Sequence, residues 1–155
     1  MATLSFKSVG RTSQSFDKET VSAKALPIGI KTPLQISDID GPLAMHYSLE
    51  DQLADNLRNL LQTNFGERVG LYDYGANLKP LTVNFSSQDS FDSEALSRIA
   101  SAISRWMPFV EPLDYASEVD RSQNLNTALI RITISYNIPS LNLDQRKLQI
   151  VLYVI

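Results

Sequence analysis

Apolar and polar positions follow different rhythms along the chain. From Met1 to about Tyr47, Gly10, Pro27, Gly29, Pro33, Gly41 and Pro42 break every helical period, so extended pieces are expected. Short apolar groups in this arm, Leu4 with Phe6 and then Leu26, Ile28 and Ile30, could lie along a neighbour or pair as an edge strand. Between Ser48 and about Gln62 the pattern becomes helical. Leu49, Leu53, Leu57, Leu60 and Leu61 recur at helical spacing, with Glu50, Asp51, Asp55, Arg58 and Asn59 between them, which predicts an amphipathic helix. Ser48 with Asp51 resembles a capping box, and acids in the first turn suit the positive end of the helix dipole.

Gly66, Gly70 and Gly75 then punctuate a stretch containing Phe65, Leu71, Tyr72 and Tyr74, which reads as a structured loop. The glycine spacing fits neither G-x-G-x-x-G nor a Gly-Lys-Ser/Thr ending, so this is no phosphate cradle. A second helix is expected from about Asp92 to Met107, with Leu96, Ile99, Ile103 and Trp106 on its apolar face and Pro108 stopping it. The period then changes to two. Ala128, Ile130, Ile132, Ile134 and Tyr136 alternate with Leu129, Arg131, Thr133 and Ser135, a strand with one wet face, and Tyr115–Asp120 is its expected antiparallel partner across the polar turn 121–126.

After Pro139 a polar link, Ser140–Lys147, leads to Leu148-Gln149-Ile150-Val151-Leu152-Tyr153-Val154-Ile155, with seven apolar residues in eight and no charge. As an open edge such a run would aggregate; it needs burial in its own sheet or addition to a partner's. The pattern gives an α+β fold, two amphipathic helices packed on a small antiparallel sheet. Its expected parts are an extended arm at 1–47, a compact domain at 48–139 and a terminal strand at 140–155.

Composition narrows the chemistry. The 155 residues include no cysteine, which removes disulfides, thiolate nucleophiles and Cys-containing metal sites. His46 is the sole histidine, so no two-His metal site can be built, and beside Met45 and Tyr47 it reads as a packing or capping residue. The formal charge of −3 argues against a nucleic-acid surface. The N-terminus has neither the basic start nor the apolar run of a signal peptide, and no stretch approaches a membrane span, so synthesis in the cytoplasm is expected.

Two carboxylate pairs, Glu67 with Asp73 and Glu111 with Asp114, were the candidates for glycosidase chemistry, but no apolar pocket marks either pair, and solvated or ion-paired acids are expected. No catalytic residue, metal or cofactor is assigned. Glu67-Arg68, just after Gly66, can form an internal ion-pair latch or reach a partner, and Arg68 can stack on Tyr72 and Tyr74.

Asn56-Leu57-Arg58-Asn59-Leu60-Leu61-Gln62-Thr63-Asn64-Phe65-Gly66-Glu67-Arg68, followed by Tyr74-Gly75-Ala76-Asn77-Leu78, resembles the Leu-Leu-x-Thr-x-x-Gly-Glu-Arg signature and glycine loop of the baseplate wedge proteins of contractile phage tails. That family extends to sheath initiators of type VI secretion and related injection machines, and members are sometimes labelled lysozyme-like. The resemblance runs from about Ile28 to Tyr136. It implies a structural, non-enzymatic subunit of the virion baseplate, six per ring.

Its expected partners are the wedge core bundle, the sheath subunits and, through the N-terminal arm, tube or hub proteins, with no nucleic acid or membrane involved. Gly66, Glu67 and Arg68 would face the wedge bundle together with a Trp-Glu-Pro-Arg corner. Here that corner reads Trp106-Met107-Pro108-Phe109, so a charged contact becomes an apolar one. The resemblance also implies that Leu148–Ile155 pairs with the first sheath ring. Its removal is then expected to leave a folded domain and a baseplate without sheath. The rival functions are a baseplate-resident peptidoglycan hydrolase and a tail assembly chaperone.

Overall fold

The computed structural model describes residues 26–37, 41–83, 87–121, 128–141 and 143–154. The first 25 residues, residues 122–127 and Ile155 lie outside them, and with them the expectations for Leu4 and Phe6 and for most of the turn expected at 121–126. By its contacts the chain divides into two units, up to Leu49 and from Glu50 onward.

In the first unit the described backbone is extended. β1 (Gly29–Ile30) pairs antiparallel with β2 (Met45–His46), and the Ile28 N–H to His46 O and Lys31 N–H to Ala44 O bonds flank the pair. His46 is buried, while Leu26, Ile28, Ile30, Leu34 and Ile36 are exposed.

The second unit is an α+β domain. α1 (Leu49–Gln62) buries Leu57, Leu60 and Leu61 completely, the stripe that the leucine spacing marks, and leaves Leu49 exposed. A one-turn helix, α2 (Lys79–Val83), was not expected; five residues have no readable period, and Pro80 in its first turn lacks only an N–H that no helical bond would use. α3 runs from Gln88 to Trp106, four residues earlier than its apolar pattern suggests, because the Ser87 hydroxyl caps the Ser90 N–H. Its buried stripe is Phe91, Ala95, Ile99, Ala102 and Ile103. Leu96, expected on that stripe, is exposed, since small alanines let the helix lie close to the sheet one step further round.

The sheet is antiparallel with order β3-β4-β5: β3 (Glu111–Arg121), β4 (Ala128–Ile138) and β5 (Leu143–Val154). β4 lies in the centre, and its Ile130, Ile132, Ile134, Tyr136 and Ile138 form the floor of the core. Each such side chain contributes roughly 1.5–3 kcal/mol by leaving water.

The terminal strand needs correcting. The polar link expected over 140–147 shrinks to a 3-10 turn at Pro139–Leu141, and β5 then pairs with β4 from Leu143 to Val154. Leu148 and Ile150 belong to the domain's own core. The strand is thus one third of this sheet, with its outer edge unpaired among the described residues, and the compact domain does not end at 139. Deleting Leu148–Ile155 would strip both side chains and a ladder from the core, so a folded remainder is no longer the expected result.

Candidate functional site

The loop from Thr63 to Leu78 is irregular, but several of its backbone groups bond within the domain. The Ala76 N–H donates to Leu60 O (3.1 Å) and the Asn77 N–H to Thr63 O (3.3 Å), so the loop returns to close the C-terminal end of α1. Gly75 permits this return. Its φ is +119°, and a Cβ there would stand 2.1 Å from Thr63 O, closer than any side chain can approach. Asn64 organises the next turn. Its N–H and its Nδ2 each donate to a Glu67 carboxylate oxygen at 2.8 Å, and its Oδ1 accepts from the Lys79 N–H at the start of α2 (3.1 Å). The Gly66 N–H donates to Tyr72 O (2.7 Å), closing the loop across its width.

These bonds hold the Glu67 pKa below the usual glutamate range, first through the Asn64 N–H, then through its side-chain amide. Glu67 is exposed and held ionised, the reverse of what a general acid requires. Asp73 pairs with Arg105, and Asp114 accepts from the Tyr115 N–H (2.9 Å). Both proposed acid pairs therefore have exposed members serving structural bonds.

Glu67 and Arg68 do not form a latch with each other. The Arg68 guanidinium lies over the Tyr74 ring, 3.8 Å from its centroid, as one of the stacking expectations has it, whereas Tyr72 is largely exposed. Tyr74 in turn packs against Trp106, with centroids 5.1 Å apart and planes tilted by 59°. Arg105 covers the other ring of this pair, 5.2 Å from the Trp106 centroid, and its guanidinium bonds Asp73. The Gly66–Arg68 loop and the Trp106 corner are thereby joined in one surface through Arg68, Tyr74, Trp106, Arg105 and Asp73. Arg98 adds a tie from α3, donating to Asn77 O (2.7 Å).

At the corner the Met107 N–H closes α3 on Ile103 O (2.8 Å), and the Val110 N–H returns to Met107 O (2.9 Å). This turn points Met107 into the core, where it is buried; as a wedge-contact side chain it must be withdrawn. Trp106 is half-buried, and Pro108 and Phe109 are exposed. The loop side contributes Phe65, Val69, Leu71 and Tyr72, all exposed, with Val69 99% exposed at the tip.

The terminal residues divide by side. Leu148 and Ile150 point into the core and Leu152 is half-buried, while Gln149, Val151 and Tyr153 face solvent. The side chains of Val154 and Ile155 lie outside the described residues.

Sequence reading missed Asn64, Asp73 and Arg105 as builders of this surface. The two asparagines of the loop, one of them Asn77 at φ 51°, were its only local signal, since Asn tolerates left-handed backbone and bonds its own turn.

The family model described as baseplate wedge protein gp25 matches residues 47–142, well over half of the chain. The chain belongs to the gp25 baseplate wedge family. Its fold is similar to that of a chain in the cryo-EM baseplate of the anti-feeding prophage, at TM-score 0.57 and 20% identity over 74% of this chain and 91% of that one. It is similar also to the crystal structure of a "putative tail lysozyme" from Geobacter sulfurreducens, at TM-score 0.58 and 23% identity over 72% and 96% of the two chains. No curated protein matches. The gp25 match includes the loop, the corner and β4 but stops at Asn142, one residue before β5.

Proposed function

We infer that the protein is a structural subunit of a contractile-tail baseplate that attaches to the wedge core bundle through the face built by Gly66, Glu67, Arg68, Trp106, Pro108 and Phe109. The observation that carries this reading is the Arg68–Tyr74–Trp106–Arg105 stack, which makes two segments far apart in sequence one surface. A stack of rings and guanidinium groups is pre-ordered, so docking costs little side-chain entropy. Exposed Val69, Tyr72 and Phe109 supply apolar area beside it, in keeping with the loss of charge at the Met107-Pro108-Phe109 corner.

The test is incorporation. Val69→Asp with Phe109→Asp changes exposed positions only, so the purified chain should melt within a few degrees of the parent, while its copy number in purified baseplates falls at least tenfold. Normal incorporation would remove this face from the contact. Detection in finished particles also separates a structural subunit from an assembly chaperone.

Sheath initiation is the finer reading, and the outer edge of β5, unpaired among the described residues, supports it, since main-chain bonds to an added strand need only such an edge. Contact of the N-terminal arm with tube or hub proteins belongs to the same reading. Lysozyme activity is the less favoured alternative: Glu67, the acid nearest the family motif, is held ionised. Turnover of purified peptidoglycan that Glu67→Gln or Glu111→Gln abolishes would reverse that preference.

A further inference from the structure

β3 leaves regular pairing at one place. Pro112 lies opposite Tyr136 and Asp114 opposite Ser135, so Leu113 is an extra residue between two paired ones. A bulge of this kind re-aims a side chain, and here Leu113 lines a groove between β3 and α3. Leu96 of α3 lines it as well, and Ile99, Tyr115 and Ile134 complete its apolar surface. Leu96, which the helical period assigns to the core, is 47% exposed among the described residues and Leu113 is 55% exposed, so an apolar wall stands in water.

The groove is pre-formed. Ile99 and Ile134 are fixed in the core, and the Tyr115 hydroxyl donates to Asp92 Oδ1 at 3.2 Å, where the Ser117 hydroxyl donates too. Its volume of about 320 Å³ is at the small end for ligand pockets and gives room for a large apolar side chain with a neighbour. Its surroundings are acidic. Residues 88–121 hold seven acidic side chains against three basic ones, although the whole chain carries only −3. Two of those bases are already engaged, Arg98 by Glu94 and Asn77 O, and Arg105 by Asp73. Asp114 lines the groove itself and accepts one bond, from the Tyr115 N–H, which leaves an ionised carboxylate with further acceptor capacity. Glu111, on the same strand, is exposed.

We propose that this groove is an interaction surface for another polypeptide of the baseplate, one that seats an apolar side chain between Leu96 and Leu113 and brings a lysine or arginine to Asp114. The anchor supplies buried area, and the charge selects, since an acidic segment would meet like charge at the rim. None of the residues assigned to wedge attachment lines the groove, and none of β5 does. The proposal takes baseplate membership from the reading above and nothing from the loop and corner.

A photo-cross-linking residue, p-benzoylphenylalanine, introduced at the exposed position Leu113 tests it in purified tail particles. The expected product joins this subunit to a different polypeptide. Mass spectrometry should place the link in a segment with an apolar residue and a lysine or arginine within about four residues of it. Asp114→Lys with Glu111→Lys should lower the cross-link yield about fivefold or more at unchanged copy number, and Asp114→Asn with Glu111→Gln about twofold. Circular dichroism checks the fold of each, and the second pair keeps the shape of both side chains should the reversal unfold the chain. Links confined to this chain, links to a segment without a base, or yields indifferent to the charge changes in folded protein would overturn the proposal. A subunit missing from the particles would sink the baseplate reading and this proposal together, whereas a subunit present without the link would sink the groove alone.

Discussion

The Thr63–Leu78 loop and β5 offer themselves to partners in opposite ways. The loop has no regular structure, yet its backbone groups bond within the domain, to Leu60, Thr63, Tyr72 and Asn64, and what it presents outward is side chains on a fixed frame. β5, in unbroken register with β4 from Arg146 to Val154, presents the reverse: side chains committed to the core on one face and, among the described residues, an unpaired backbone along one edge. A frame of the first kind recognises shape and chemistry. An edge of the second kind can accept a compatible strand through main-chain bonds.

The contrast can be broken most severely at β5. Removing Leu148–Ile155 takes two buried side chains, each worth about 2–5 kcal/mol, and most of a ladder from a domain whose total stability is on the order of 5–15 kcal/mol. The truncated chain should show no cooperative melt by circular dichroism, and a folded truncation would mean that β5 is dispensable to the core. Gly75→Ala attacks the frame of the loop instead. A positive φ and a collision with Thr63 O should lower the unfolding free energy by about 2–5 kcal/mol in urea titration.

A smaller change sharpens the role of the ring stack. Tyr74→Leu keeps apolar volume but loses the contacts with Trp106 and Arg68, for an expected loss of about 1–2 kcal/mol together with greater exposure of Trp106 to fluorescence quenchers. The smallest effect is a titration. Glu67 has its pKa lowered, so its bonds to Asn64 are intact above the ordinary glutamate value of 4.5 and are lost only as pH falls through the lower folded value. The Asn64 amide resonance should titrate with a midpoint below 4.5, and Glu67→Gln should abolish that titration.

Periodicity made the two long helices and β4 readable, because each has one face in the core and the spacing of Leu57, Leu60 and Leu61 or of Ile130, Ile132 and Ile134 records it. The alanines at 95 and 102 left no such record, which is why the face of α3 was placed one step away. β5 was legible as a strand but not as a member of this sheet: its pairing with β4 is a tertiary choice that an apolar run does not reveal. The proposed contact surface was legible in halves. Gly66–Arg68 and Trp106–Phe109 stood out by motif, but the Asp73–Arg105 bond that helps join them spans 32 residues of sequence, and no local pattern encodes it. Met107 looked outward by motif and points inward because the turn after α3 sends the chain back to the sheet.

Two separable contact surfaces on one small domain are the centre of this account, and electron microscopy of tails assembled with Val151→Lys and Tyr153→Lys tests it most directly. Both positions face solvent, and the fold should be unaffected. The account predicts baseplates that retain the subunit at full occupancy and carry no polymerised sheath. Normal sheaths on those baseplates would contradict it, as would loss of the subunit from the baseplate, since the edge would then be serving the attachment assigned to the loop and corner.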